Sequence, residues 1–307
     1  MAVAGLHSDS GGREHEEMRE TPGDIYSHVL SRPRKWESGV IVCSPHSGRD
    51  FPAWFLEETC LDVTALRSSE DAFMDRLIEP ALAAGAATLV ARIPRSIVDL
   101  NRSASDLDPG AVRCRVTRPA TPRALAGLGV IPRVVSAARP IRQRPIAMAE
   151  AKRRIETYWR PYHKALRGLV DEAVARFGWA IVIDMHSMPH EAISHLLPPR
   201  PDIVIGDRHG ISCGMVLRER VCAAFRRAGF NLRLNVPFSG AYVANAYGRP
   251  TQGVHVLQVE IDRSLYLDQA EMKPSAGYPR LAGQLADVLG EVAHLSPDAP
   301  AIRHAAE

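Results

Sequence analysis

The sequence contains few cysteines and no long apolar run. The five cysteines among its 307 residues form no Cys-x-x-Cys pair, which excludes a cysteine metal site and a disulfide framework and is typical of a reducing compartment. No apolar stretch approaches the ~20 residues that a membrane-spanning helix needs. The first residues have neither a basic start nor a long apolar core, so no signal peptide is expected. These absences favour a cytoplasmic protein that does not act in a membrane.

Acidic and aromatic residues are missing from the segment in which positive charge is concentrated. Residues 111–145 contain eight arginines and no acidic residue, although the net charge of the whole chain is only +3. Such a segment could bind phosphate or nucleic acid, or could be an exposed loop over a pocket for anionic substrates. Because it offers no aromatic ring for base stacking, we expect a small anionic substrate and no nucleic acid. The oligomeric state is not predicted.

Short β-branched runs alternate with longer helical patterns from residue 39 onwards. The strand candidates are 39–43, 87–92, 96–99, 180–185, 202–205, 231–235 and 254–261. The helix candidates are 69–84, 148–177, 210–228 and 273–294, and Pro161 is expected to kink or restart the second. This alternation predicts the α/β class, with a central, mostly parallel mixed sheet and helices on both of its faces.

The chain is predicted to form one domain over residues 25–307. Residues 1–24 are rich in Gly, Ser and Glu without periodicity and are expected to be a disordered tail. The Arg- and Pro-rich stretch 109–145 is interpreted as an excursion from that domain, because strand-like runs continue after it.

Two strand candidates each deliver a histidine at their carboxyl end. His46 follows the first run and His186 follows the fourth. Open α/β sheets build their sites at that edge, so both histidines could bind one metal. A catalytic zinc site needs about three protein ligands and an open position for water. We predict Zn²⁺, with another divalent ion as an alternative, and we predict Asp71 as the third ligand, with Glu70 and Asp75 as alternatives.

Glu260 ends the apolar run of the last strand candidate, where a buried carboxylate would reach the same edge. On a strand it shares a face with Gln258, whereas His255 lies on the opposite face. As a general base, Glu260 could take a proton from water activated by the metal and pass it to a leaving amine. The alternative interpretation is a structural salt bridge to Arg263 or to another arginine.

Two further stretches are candidates for substrate binding. Asn101 and Arg102 follow the run at 96–99, and a guanidinium there could hold a carboxylate or polarise a carbonyl as its oxygen turns negative. A loop over 235–250 precedes the strand of Glu260 and could close over a substrate. Its candidate contact residues are Ser239, Gly240, Tyr242, Tyr247 and Arg249. For both stretches, an ordered turn without a ligand is the alternative.

Taken in order, these blocks resemble the N-formylglutamate amidohydrolase family over roughly residues 38–270. The matching blocks are Pro45-His46-Ser47-Gly48, Asp71 through Asp75-Arg76-Leu77, Asp99-Leu100-Asn101-Arg102, Pro161-Tyr162-His163, Asp184-Met185-His186-Ser187, and Tyr247-Gly248-Arg249-Pro250 through Val259-Glu260. The resemblance implies a fold similar to that of zinc carboxypeptidases and aspartoacylases, with a central mixed sheet flanked by helices.

The resemblance also implies roles for individual residues. It implies a zinc held by His46, Asp71 and His186, with Glu260 as the base, and it implies that Asn101 and Arg102 bind the substrate. The expected reaction is hydrolysis of the amide bond of an N-acyl, here N-formyl, amino acid such as N-formylglutamate, a step of histidine degradation. Arg102 is expected to help stabilise the oxyanion. A peptidase or amidase on the same zinc scaffold and a non-catalytic anion-binding protein are the alternatives.

The chain departs from the family pattern at one place. Members best matched to formylglutamate tend to carry Thr-Arg-His before the Tyr-Gly-Arg-Pro block, where this chain has Ala244-Asn245-Ala246. The Arg-rich segment could supply the missing cationic contact or indicate another substrate.

Overall fold

The computed structural model describes residues 25–113 and 120–297. The strands are β1 (His28–Ser31), β2 (Val40–Ser44), β3 (Ala87–Ala91), β4 (Val112–Arg113), β5 (Ile146–Ala147), β6 (Ala180–Met188), β7 (Ile203–Gly206), β8 (Leu232–Leu234), β9 (Val254–Asp262), β10 (Leu267–Asp268) and β11 (Lys273–Pro274). The α-helices are α1 (Ala53–Glu58), α2 (Val63–Arg67), α3 (Met74–Leu77), α4 (Glu79–Ala83), α5 (Met148–Arg154), α6 (Arg160–Phe177), α7 (Met215–Arg227), α8 (Tyr242–Tyr247) and α9 (Tyr278–Val292). Shorter π-helical or 3₁₀ turns cover Ala124–Leu128, Ser136–Ala138, Ile155–Trp159, His190–Ala192, Pro250–Gln252 and Arg263–Leu265.

Seven strands form one central sheet in the order β1-β3-β2-β6-β9-β7-β8. The strands β3, β2, β6 and β9 run parallel to one another. The edge strand β1 is antiparallel to β3, and β7 is antiparallel to β9. The predicted α/β class with a mixed, mostly parallel sheet is therefore confirmed.

Helices cover both faces of this sheet, as the continuous burial of its central strands requires. Along β2, Val40 and Val42 pack into one apolar cluster with α3, α4, α7 and α9. The alternate residues Ile41 and Cys43 pack into a second cluster with α1, α2, α5 and α6. The pleat of the strand thus divides the core into two layers. Among the described residues, no helix combines the length and apolarity needed to cross a bilayer.

The strand predicted at 96–99 is wrong, because this run is a turn. The N–H groups of Ile97 and Val98 both donate to the carbonyl of Pro94, at 3.0 and 3.5 Å. Both side chains are nevertheless fully buried in the core. Hydrophobicity alone does not distinguish a short buried strand from a buried turn, so the apolar run at 96–99 wrongly predicts a strand.

The helix predicted at 69–84 is interrupted, and Asp71 precedes its helical part. Phe73 has a left-handed φ of 62°, which is rare for a bulky residue, so α3 begins only at Met74. The backbone N–H of Asp71 donates to the carbonyl of His46 at 2.9 Å, which fixes this segment at the end of β2. Asp75 lies in α3 but Asp71 precedes it, so the two acids do not project from one helix, as the predicted helix over 69–84 would require.

The other three helix candidates are present, with shorter ends for the last two. The stretch 148–177 is helical from α5 to α6 and changes to a wider π-helical turn over Ile155–Trp159. That turn lies directly before Pro161, which has no N–H to donate to the preceding turn. The predicted tail 1–24 and part of the 109–145 excursion lie outside the described residues.

Helix α6 and the π-helical turn before it hold the turn that carries Asn101 and Arg102. The Nε2–H of His163 donates to the carbonyl of Leu100 at 2.8 Å, and the indole N–H of Trp159 donates to the carbonyl of Arg102 at 2.9 Å. Because a carbonyl can only accept, the proton of neutral His163 is on Nε2, and Nδ1 accepts from the Tyr247 hydroxyl at 2.9 Å. Burial lowers the pKa of His163 to about 4.

We expect acid to destabilise the fold through His163. Its pKa is about 4 when folded and ~6.5 when unfolded. The unfolded chain therefore binds more protons between those values, and the free energy of unfolding falls as the pH drops from about 6.5 to about 4. His163→Gln should remove on the order of 3 kcal/mol of that fall, measured by urea unfolding at pH 7 and pH 4. Replacing the exposed His195 by Gln should leave the pH dependence unchanged. Equal pH dependence in His163→Gln and the wild type would contradict this role.

Gly48 is expected to be irreplaceable for packing at the end of β2. A Cβ at this position would lie 2.2 Å from the carbonyl oxygen of Ile93, so any side chain forces the two segments apart. Gly48→Ala should lower the free energy of unfolding by about 2 kcal/mol or more, measured by urea denaturation. Gly168→Ala is the matched control, because this glycine lies in α6 with no atom within 4 Å of the added Cβ. The control should gain up to about 1 kcal/mol from helix propensity, whereas full stability of Gly48→Ala would refute the packing argument.

Candidate active site

The carboxyl ends of β2, β6 and β9 bring the candidate catalytic residues together. His46 lies two residues beyond β2, while His186 and Glu260 are direct register partners on the neighbouring strands β6 and β9. Asp184 and Gln258 form the register pair two residues earlier, on the same face of the sheet. The apolar residues on this face pack against α6. His186, Glu260, Asp184 and Gln258 follow them along the strands and form the polar edge of that core layer.

His46, Asp71 and His186 form a buried cluster. One nitrogen or oxygen atom from each lies within 4.8 Å of the other two, and each residue is at most 5% exposed. The Oδ2 atom of Asp71 lies 2.9 Å from His186 Nδ1 and 3.6 Å from His46 Nδ1. The Nδ1 atom of His46 is buried without a hydrogen-bond partner. Two imidazole nitrogens and one carboxylate around a common point match the donor set of a catalytic zinc site.

Each of the two histidines contacts a second carboxylate through its Nε2 atom. The Nε2 atom of His46 lies 2.7 Å from Asp99 Oδ1, and the Nε2 atom of His186 lies 3.0 Å from Asp184 Oδ1. Such carboxylates fix the ring orientation and make the other nitrogen a stronger ligand. Sequence reasoning assigned no role to either residue. Asp184 could have been found from its alternation with His186 along β6, whereas no local signal pointed to Asp99.

The electrostatics of the cluster are those of a buried ion pair. Burial alone would raise the pKa of Asp71, but the hydrogen bond from His186 and the charges of His186 and His46 hold it well below its ordinary value. Burial alone would lower the pKa of His186, but the charges and hydrogen bonds of Asp184 and Asp71 hold it well above its ordinary value. These carboxylates thus favour the protonated form of His186, and a cation bound at the cluster would compete with that proton.

The two alternative third ligands lie outside this cluster. Glu70 is bound by the guanidinium of Arg67, with an Nε–Oε2 distance of 2.7 Å. Asp75 pairs with Arg49. The structure thus brings Asp71 to the histidines, whereas the other two acids pair with Arg67 and Arg49.

Glu260 is buried beside the cluster and is held at one oxygen. Its Oε1 atom accepts a hydrogen bond from Gln258 Nε2 at 2.8 Å, and the Oε1 atom of Gln258 accepts from the backbone N–H of Ala241 at 2.8 Å. Burial raises the pKa of Glu260 to about 7; the charge of His186 lowers it and that of Asp71 raises it. The anticipated alternative of a salt bridge to Arg263 is not formed, since Arg263 binds Asp71 at 3.0 Å. A carboxyl group with a pKa near 7 can accept and return a proton.

A cleft of about 470 Å³ opens onto these residues. The predicted site residues that line it are His46, Asp71, Asn101, Arg102, His186, Ser239, Gly240 and Glu260. A larger open groove of about 2040 Å³ runs along β1 and β3. Within the described ranges, the only cluster of three or more side chains that could hold a metal ion is in the smaller cleft, which is therefore the candidate active site.

Arg102 and Asn101 differ in what they offer a ligand. The Arg102 side chain is 13% exposed, and its Nε atom lies 3.9 Å from Asp99 Oδ2 without a hydrogen bond. In Asn101, by contrast, Oδ1 accepts from the N–H of Val243 at 2.7 Å and Nδ2 donates to Asp184 at 2.9 Å. The side-chain amide of Asn101 is therefore engaged within the protein, whereas the buried Nε–H of Arg102 has no hydrogen-bond partner.

The structure places three predicted substrate contacts, Tyr242, Tyr247 and Arg249, outside the lining of the cleft. The ring of Tyr242 packs against Trp159 and His163, while the Tyr247 hydroxyl binds His163. The Nη1 atom of Arg249 donates to the carbonyls of its own loop. The motif around Tyr247 thus contributes to the packing around α6, a role that its loop-like composition did not suggest.

Comparison with known proteins gives a consistent result. The sequence profile of the N-formylglutamate amidohydrolase family matches residues 38–267. The chain is 30% identical to N-formylglutamate deformylase of Pseudomonas putida over 238 residues, covering 76% of this chain and 83% of that protein. It is 31% identical to the Pseudomonas aeruginosa deformylase over 237 residues, covering 75% and 82%. The crystal structure of N-formylglutamate amidohydrolase from Ralstonia eutropha shares 34% identity and a TM-score of 0.82, covering 88% of this chain and 98% of that chain. This chain therefore belongs to the N-formylglutamate amidohydrolase family.

Proposed function

We propose that this protein is a metal-dependent amidohydrolase that removes the formyl group from N-formylglutamate or from a closely related N-acyl amino acid. The observation that carries this proposal is the buried cluster of His46, Asp71 and His186 beside Glu260 in one cleft. The names of the relatives, N-formylglutamate deformylase and amidohydrolase, support the same reaction. The cleft volume of about 470 Å³ suits a small molecule.

His46, Asp71 and His186 would hold the cation, and two imidazoles with one carboxylate favour Zn²⁺. When bound, such a cation polarises the acyl carbonyl and lowers the pKa of water. Asp99 and Asp184 bind the Nε2 atoms of His46 and His186. The Nδ1 atoms of both histidines are therefore the ones that face Asp71.

Glu260 acts as the general base and then as the general acid. Because Gln258 donates to Oε1, Oε2 is the oxygen that accepts a proton from the attacking water. The water oxygen forms a bond to the acyl carbon, and Glu260 returns the proton to the amide nitrogen as the C–N bond breaks. Arg102 donates to the oxygen that becomes negative on the acyl carbon. The products are formate and the free amino acid.

The first test is the metal content of the purified protein. We expect about one divalent cation per chain, measured by plasma mass spectrometry, and its loss in the His46→Ala/His186→Ala double variant. His195→Ala changes an exposed histidine and should keep the metal. Folded, metal-free wild type that does not bind added zinc would overturn the proposal and favour the anion-binding alternative.

The second test separates the base from the metal site. Glu260→Gln keeps the shape of the side chain but removes its ability to take a proton, so kcat for formate release from N-formylglutamate should fall about 10²–10⁴-fold with the metal retained. Glu271→Gln, at an exposed position, is the control and should keep wild-type turnover. Near-normal turnover of Glu260→Gln would show that another group moves the proton.

A further inference from the structure

Four arginines line the cleft, and two of them are neutralised by its carboxylates. The Nη2 atom of Arg95 donates to Asp99 Oδ2 at 2.6 Å. The Nη2 atom of Arg263 donates to Asp71 Oδ1 at 3.0 Å. Both guanidiniums are thereby committed to acids that support the histidines.

The other two arginines leave positive charge in the cleft. Arg102 is mostly buried and approaches Asp99 only to 3.9 Å. Arg123 is exposed, lines the cleft, and forms no ion pair with any acid in the parts of the chain that the structure describes. Burial, together with the charges of Arg95 and Arg123, lowers the pKa of Arg102, although Asp99 raises it. Two cations facing one cleft are stabilised by an anion between them.

Arg123 belongs to the Arg-rich segment 111–145, whose other described arginines bind groups of the protein or lie outside the cleft. Arg133 binds Asp108 at 2.7 Å, Arg139 binds the Ser68 hydroxyl at 3.1 Å, and Arg142 donates to the Pro132 carbonyl at 3.0 Å. The two remaining described members, Arg113 and Arg144, are exposed and do not line the cleft. Of the described arginines in this segment, Arg123 is thus the one that faces the cleft.

The backbone around Arg123 is fixed. The next residue, Ala124, is fully buried, and its N–H donates to Thr121 Oγ1 at 3.1 Å. The Thr121 hydroxyl in turn donates to Asp106 Oδ2 at 3.0 Å. Residues on both sides of Arg123 are therefore anchored, so that its guanidinium is presented from a defined position at the rim of the cleft.

We propose that Arg123 binds the side-chain carboxylate of the substrate and thereby selects acidic N-acyl amino acids over neutral ones. The inference rests on the proposed function, because that function places the reacting amide beside Arg102 and the cluster of His46, Asp71 and His186. Arg123 lies at the exposed rim and Arg102 deeper in the cleft, so the second carboxylate of the substrate meets the outer cation. A guanidinium can bind a carboxylate through two parallel hydrogen bonds.

The test compares two substrates of equal size in the metal-loaded full-length protein. N-formyl-L-glutamate and N-formyl-L-glutamine differ only in the group at the end of the side chain. Arg123→Gln should raise KM for formylglutamate about 10- to 100-fold, leave kcat within about twofold, and change the kinetics of formylglutamine little. Arg123→Lys should give an intermediate KM, because it keeps the charge but loses the two-pronged geometry.

Arg144→Gln is the matched control, since it removes an exposed arginine of the same segment that does not line the cleft. It should keep the wild-type ratio of kcat/KM between the two substrates. If Arg123→Gln also keeps that ratio, Arg123 does not select the side chain and the inference is wrong.

A binding measurement separates this inference from the proposed reaction. Calorimetric titration with the products L-glutamate and L-glutamine needs no turnover, and the wild type should prefer glutamate. Loss of that preference in Arg123→Gln supports the role of Arg123 even if the wild type hydrolyses neither substrate, a result that would refute only the reaction. Equal binding of both products by the wild type would refute the role of Arg123.

Discussion

The buried carboxylate of Asp71 ties together the ends of the three central strands. The backbone N–H of Asp71 donates to the carbonyl of His46 beyond β2, and its Oδ2 atom contacts His186 on β6. Its Oδ1 atom accepts hydrogen bonds from Ser187 and from Arg263, which follows β9. An ionised carboxylate in the interior costs several kcal/mol unless such partners surround it. The site is therefore stable only as a unit, because removing one partner leaves a buried charge that the others cannot compensate.

The parallel register of β6 and β9 places Glu260 beside this charged unit. Asp184 lies opposite Gln258 and His186 lies opposite Glu260, so the pair Asp184 and Gln258 lies directly behind the pair His186 and Glu260 on the same face. Gln258 links Glu260 to the loop at Ala241 through the oxygen and nitrogen of its side-chain amide. The position of Glu260 thus depends on a strand pair whose alignment is set by the core and not by the polar residues themselves.

The arginine-rich segment shows how one composition serves different purposes. Part of it forms a wall of the cleft, from Arg123 to Ala138. Three of its six described arginines bind an acid, a hydroxyl or a carbonyl of the scaffold, so half of this positive charge stabilises the segment itself. Composition predicted a cationic cover over a pocket, but could not tell structural arginines from those that face a substrate.

The sequence by itself determined the α/β class, the central strands, the family, and the histidines at the strand ends, because apolar alternation, helical spacing and motif order are local. Only the tertiary structure decided that the run at 96–99 is a turn and that Asp99, 53 residues from His46, supports that histidine. It also decided that Tyr247 packs on His163, 84 residues away. Such roles depend on which distant segments meet, and that is set by the packing of the whole core, which no local pattern encodes.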